Sequence, residues 1–147
     1  MNARLIRTLA AVGIVIGMAA VAHADAPAGR YTITNGTVYD TKTKLTWQQA
    51  VPSTKYAWAR ANTYCSGLNL TGTGWRLPTV KELQTIVDES RTNPTIDPTV
   101  FPSTPSDYFW SSSPLAGSSS SSWYVYFIYG AAYYSVVSNT YYVRCVR

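Results

Sequence analysis

Two cysteines, Cys65 and Cys145, narrow the choice of fold more than anything else in this chain. They are its only cysteines, and their meaning depends on the compartment. The sequence opens MNARLIRTLAAVGIVIGMAAVAHADA. Arg4 and Arg7 give a positive start, Thr8 to Val21 form an apolar run, and Ala22-His23-Ala24 supplies a small-x-small cleavage pattern. Residues 1–24 therefore read as a signal peptide cut after Ala24, with an uncleaved anchor as the alternative. The expected location is periplasmic or secreted. In such an oxidising compartment an even pair of cysteines is most simply one disulfide, with two free buried thiols as the alternative. A bond closing a loop of about 80 residues contributes roughly 4–5 kcal/mol in the chain-entropy model.

Asp25 to Arg147 is a length that suits one domain. Losing Arg4 and Arg7 with the leader takes twelve basic residues to ten, against seven acids, and the formal charge from +5 to +3. The basic residues are scattered, so no nucleic-acid partner is expected. No later run is apolar enough to predict membrane insertion after cleavage. The single histidine, His23, leaves with the leader. That excludes Ser-His and Cys-His catalysis and any histidine-based zinc site in the mature chain. Glycoside hydrolysis needs only two carboxylates, and Asp88 with Glu89 is the adjacent pair. Neighbours at a helix end point in different directions, so this pair reads as surface charge. No Gly-x-Gly-x-x-Gly or phosphate loop occurs. The expectation is a non-enzymatic protein without a cofactor.

Residues 25–35 read as an N-terminal linker leading into a first strand over Tyr31 to Thr34. Asn35-Gly36 is a turn signal, because both residues tolerate positive φ. Thr37 to Asp40 and Leu45 to Gln48 continue as strands. Lys55 to Ser66 reads as a helix, with Trp58, Ala61 and Cys65 on one face and Gly67 placed to stop it. Thr79-Val-Lys-Glu82 matches a capping box, and the Leu83, Ile86, Val87 stripe carries a second helix to about Asp88. Arg91 to Asp107 holds four prolines and reads as a long ordered loop anchored by Ile96, Val100 and Phe101. Strands follow at Tyr108 to Ser112, Trp123 to Ile128, Ala132 to Val137 and Tyr141 to Val146. This order of elements is an α+β domain.

The last third has an unusual composition. Ser111 to Tyr142 includes ten Ser, seven Tyr, two Gly and one Asn. Tyrosine offers rigid amphipathic contact area, and Ser, Gly and Asn offer adaptable hydrogen bonds, as in antibody paratopes. The plainer reading is that Tyr favours strands and Ser fills loops. Alternation puts Tyr124, Tyr126 and Ile128 opposite Trp123, Val125 and Phe127. An inward Cys145 puts Tyr142, Arg144 and Val146 on the other side. Trp47, Trp58, Trp75 and Trp110 read as core, and Arg76, between Trp75 and Leu77, as structural.

GTVYDTKTKLTWQ, GWRLPTVKELQTIVD, IDPTVFPSTPSDYFWSSSP, WYVYF and YYVRCVR occur in this order. Together they resemble the Lcl C-terminal domain family of bacterial secreted and surface domains, over residues 36–147. The resemblance implies a C-type-lectin-like fold: two short helices, a mostly antiparallel twisted sheet, paired termini, and one disulfide from the first helix to the last strand, Cys65 to Cys145. It also implies a role in binding at the cell envelope. Calcium-dependent lectins use Glu-Pro-Asn or Gln-Pro-Asp with Trp-Asn-Asp, and none of these occurs here. Asp88, Glu89, Asp97 and Asp107 are not spaced for the six to eight oxygens calcium takes, so no metal site is predicted.

The expected function is adhesion or recognition of a glycan or protein ligand at the cell surface. The ligand-binding residues expected are Tyr124, Tyr126, Tyr129, Tyr133, Tyr134 and Tyr142 for contact area. Ser135 and Asn139 would supply hydrogen bonds, and Arg144 would favour an anionic group. Two alternatives stand beside it. One is an oligomeric assembly module of the envelope, a homo-oligomer with the tyrosine face buried. The other is a carboxylate-based hydrolase.

Overall fold

The computed structural model describes residues 29–147. The expected signal peptide lies outside the described residues, as does the linker before Gly29. The described chain is mostly sheet, with two short helices and one disulfide. Strands β1 (Tyr31–Thr34), β2 (Thr37–Asp40) and β3 (Thr46–Gln48) form an antiparallel meander. Asn35 and Gly36 turn the first hairpin with φ of 50° and 76°, the left-handed conformations that this dipeptide tolerates. The chain end closes onto β3. Thr46 and Arg147 exchange N–H···O bonds of 2.8 and 2.9 Å, and Gln48 N–H donates to the Cys145 carbonyl.

A two-stranded ribbon joins β4 (Tyr56–Ala57) to β8 (Thr140–Tyr141). This pairing shortens the first helix. α1 runs Trp58–Ser66, because Tyr56 and Ala57 are held extended against β8. Ala61 and Cys65 face inward as the spacing predicts. Gly67 ends the helix with a right-handed φ of −88° and not in the left-handed form. α2 is a short helix, Val80–Gln84. Its capping box forms as expected: Thr79 Oγ1 accepts from Glu82 N–H, and the Glu82 carboxylate accepts from Thr79 N–H. It ends before Asp88 because Thr85 turns onto the Glu82 carbonyl and Asp88 N–H bonds to Thr95.

The third sheet is β5 (Tyr108–Pro114), β6 (Ser121–Tyr126) and β7 (Ala131–Val136), antiparallel in that order. The β6–β7 turn sits tightly on the segment after α2. A Cβ added at Gly130, whose φ is 72°, would lie 2.5 Å from Val87 Cγ1.

Two apolar clusters fill the interior. The first gathers Val38, Trp47, Leu83, Ile86, Ile96, Phe101, Phe109, Val125, Phe127 and Val146. The second gathers Ala61, Trp75, Leu77, Trp110 and Val143 around the Cys65–Cys145 disulfide, whose Cα atoms are 5.4 Å apart. Two segments separate them. In β5, Phe109 enters the first cluster and Trp110 the second. In the chain end, Val146 enters the first, and Val143 and Cys145 the second. The expected last strand over Tyr141 to Val146 is thus a two-residue strand followed by isolated bridges, Phe109 with Tyr142 and Val146 with both Trp47 and Arg76.

Candidate functional site

The register of β5, β6 and β7 decides which tyrosines meet. Tyr108 stands opposite Tyr126, Trp110 opposite Tyr124, and Tyr124 opposite Tyr133. Directly opposed residues share a face, so these rings lie on one side of the sheet. Phe109, Val125 and Ala132 lie on the other, against the first core cluster.

Tyr108 is the hub. Its ring centroid is 4.4 Å from Tyr126, 5.0 Å from Tyr141 and 5.1 Å from Tyr124. Tyr129 reaches Tyr126 at 5.6 Å, and Tyr133 reaches Tyr124 at 6.1 Å. The buried Trp110 supports one end, 4.5 Å from Tyr141. These spacings are those of edge-to-face and tilted aromatic pairs. Six tyrosines therefore form one connected layer, half-buried at the Trp110 end and open at Tyr129 and Tyr133. Five of them, Tyr108, Tyr124, Tyr126, Tyr129 and Tyr133, line an open depression of about 230 Å³.

The rim beside Tyr141 is polar. Tyr141 O–H donates to Ser135 Oγ at 3.0 Å, and Asn139 Nδ2 donates to the same oxygen at 2.8 Å. No charged side chain lines the depression. An ion pair bounds the region, with Lys55 Nζ 2.6 Å from Asp107 and 5.0 Å from the Tyr142 ring centroid. The hydroxyls of Tyr124 and Tyr126 are pushed above the ordinary tyrosine value. Burial is the main cause and the neighbouring tyrosines add to it. At neutral pH these two phenols are uncharged. A larger depression of about 540 Å³ lies beside α1, where Tyr56 and Tyr64 stack at 5.1 Å near Lys55 and Arg60.

Residues 36–147 match the Lcl C-terminal domain model. The chain belongs to that family. Among curated proteins none matches.

In this Lcl C-terminal domain the expected binding residues divide. Tyr124, Tyr126, Tyr129, Tyr133, Ser135 and Asn139 come together on the layer or its rim. Tyr134 does not join them. It points to the other side of β7, where its ring meets Trp123 at 5.8 Å. Tyr142 stacks on Phe109 at 5.6 Å and packs against the first core cluster. Arg144 is a clear correction, for it is wholly buried. Its guanidinium donates to the carbonyls of Gln48 and Gln49 and to Thr104 Oγ1, and lies 4.6 Å from the Phe101 ring centroid. Its Nε has no partner. Burial pushes its pKa down to about 9, which leaves it a cation at neutral pH. It ties the chain end to β3 and the long loop, and reaches no ligand surface.

Tyr108 and Tyr141 were absent from the expected set. For Tyr108 a signal existed in its two-residue spacing from Trp110, but it needed the β5–β6 register to be read. Arg76 is structural, forking onto Glu82 at 2.8 and 2.7 Å. That contact, with burial opposing it and the Thr79 N–H assisting, holds Glu82 down at about 2. Asp88 accepts from Ser90 and Arg91. Burial alone would raise its pKa, but these bonds hold it below the usual value. It stays an anion at neutral pH and is not an acid poised for proton transfer. Among the described residues no group of three or more His, Cys, Asp or Glu could hold a metal ion.

Proposed function

We propose that this Lcl C-terminal domain is an exported, non-catalytic recognition module with a C-type-lectin-like fold, and that its tyrosine layer is the ligand surface. One observation carries the reading: six tyrosines meet in a continuous layer that is left open and uncharged. A layer meant only as core would be covered. A layer of tyrosine rings with a Ser135–Asn139 rim presents contact area with adjustable hydrogen bonds. The ligand is a glycan or a protein surface. Export is supported by the leader pattern and by the disulfide, which persists in an oxidising compartment. The lectin-like fold is supported by family membership and by the closure of the chain end onto β3.

The test is binding of the mature chain to arrays of glycans and envelope proteins, with and without chelator. A Tyr126→Ser, Tyr129→Ser, Tyr133→Ser variant runs beside it. Saturable binding lost in a folded variant is expected. Equal binding by the variant would move the site elsewhere, and chelator sensitivity would bring a metal into the reading.

A further inference from the structure

Every side chain that lines the depression on the tyrosine layer is a tyrosine, and no aliphatic, acidic or basic side chain shares the lining. The ring contacts run from Tyr129 to Tyr126, Tyr108, Tyr124 and Tyr133 in turn. The two rings at the ends, Tyr129 and Tyr133, are 69% and 49% exposed, while the three between them are half-buried. The end rings are also turned differently. Tyr129 stands at 89° to Tyr126, and Tyr133 is tilted 37° from Tyr124. The half-buried rings thus make a floor, and Tyr129 makes a wall at one end of it.

Charge is placed outside this lining. Asp107 stands beside Tyr108. Its carboxylate accepts from the Tyr108 N–H at 2.7 Å and from Lys55 Nζ at 2.6 Å. Lys55 and Arg60 line the other depression, beside α1. An anionic substituent seated among the tyrosines would lose water, meet no cation in the lining and stand near Asp107. A cation would find ring faces but no carboxylate in the lining, and Asp107 is already held by Lys55. An aliphatic anchor from a protein would cover phenol hydroxyls with apolar surface and leave them unpaired. A pyranose ring has the matching surface. Its faces carry C–H groups, which stack on ring faces. Its edge carries hydroxyls, which both donate and accept, as do the phenol hydroxyls and Ser135.

Granted the recognition reading, on which this rests, we propose that the ligand is a neutral glycan, bound without a metal or an ion pair. A pyranose ring seats on the half-buried tyrosines between Tyr129 and Tyr133, and its hydroxyls reach the phenols and the Ser135–Asn139 rim. Such binding has a signature. With no charge on the ligand, its affinity does not fall as salt rises.

Binding isotherms of the mature chain test it, at low and high salt and with chelator. The probes are neutral oligosaccharides of glucose, galactose or mannose and the same oligosaccharides carrying sulfate or uronate groups. At least one neutral series should bind saturably, with affinity unchanged by salt and chelator, and more tightly than its charged counterpart. The folded Tyr126→Ser, Tyr129→Ser, Tyr133→Ser variant should lose roughly a hundredfold in affinity for it. Tyr133→Phe, which keeps the ring, should bind more tightly than Tyr133→Ser. Neutral-glycan binding that weakens with salt, or that Tyr133→Phe and Tyr133→Ser reduce equally, overturns the proposal. Binding that needs the three tyrosines but is confined to an anionic glycan, a cation or a protein overturns it and leaves the recognition reading standing. If no glycan or protein binds in a way that needs the three tyrosines, both fall together.

Discussion

The sheet of β5, β6 and β7 has two aromatic faces, and they differ by a hydroxyl. On one, Phe109 and Phe127 meet at 5.0 Å and are wholly buried with Val125. On the other, Tyr108 and Tyr126 meet at 4.4 Å and remain half-exposed. Ring spacing and strand periodicity are alike on both. What separates them is the cover. The long loop and Leu83 and Ile86 close the phenylalanine face, while Trp110 and Tyr141 close only one end of the tyrosine face. A phenolic hydroxyl wants a partner, so tyrosine suits the side that water or a ligand reaches. Aromatic content alone does not mark a core.

Breaking the closed face should do the most damage. Phe127→Ala is expected to cost about 3–5 kcal/mol, read from denaturant unfolding. Removing the disulfide with Cys65→Ala and Cys145→Ala is expected to cost about 2–5 kcal/mol by the same measurement. Gly130→Ala strains the turn that seats the two faces on Val87, and should cost about 1–3 kcal/mol. On the open face, Tyr133→Ser should change stability by less than about 1 kcal/mol.

The smallest effect is electrostatic and falls on the closed face. Glu82 is held at about 2 by Arg76, far below the usual carboxylate value, and it caps the helix that carries Leu83 and leads to Ile86. A depressed carboxylate pKa stabilises the fold above its unfolded value and loses that stabilisation as pH falls toward 2. Arg76 is nearly half exposed, so solvent screens the pair and the loss should be about 1 kcal/mol or less. Melts between pH 5 and 2 should show a smaller loss in Glu82→Gln than in the wild type, because Asp40 and Asp88 are also held below the usual value and remain in both. Tyr124 and Tyr126 are pushed above the ordinary tyrosine value, so acid should loosen the closed face without changing their charge.

Much of the fold was legible because local chemistry decided it. Asn35-Gly36 turns, Thr79 and Glu82 cap, and Ala61 with Cys65 faces inward, each for a reason contained within a few residues. The site was legible only in part. Alternation sorts residues into two faces but does not say what covers either. Along the chain end it sorted Val143 and Cys145 from Tyr142, Arg144 and Val146 correctly. That segment runs between two cores, so both of its faces are buried and Arg144 is sealed with them. Tyr133 and Tyr134 are a different case. Adjacent strand residues point to opposite sides, so the two could not share a surface, and period two alone was enough to separate them. The place of Tyr108 depended on strand order, which no local pattern carries.

The central claim is that the open face serves a ligand and the closed face serves the fold. A paired measurement on the Tyr126→Ser, Tyr129→Ser, Tyr133→Ser variant tests it most directly: a thermal melt and a binding isotherm for the ligand that the arrays identify. The account predicts a midpoint close to the wild type and the loss of saturable binding. A midpoint that collapses as it should for Phe127→Ala, with binding by the remaining folded protein intact, would contradict it.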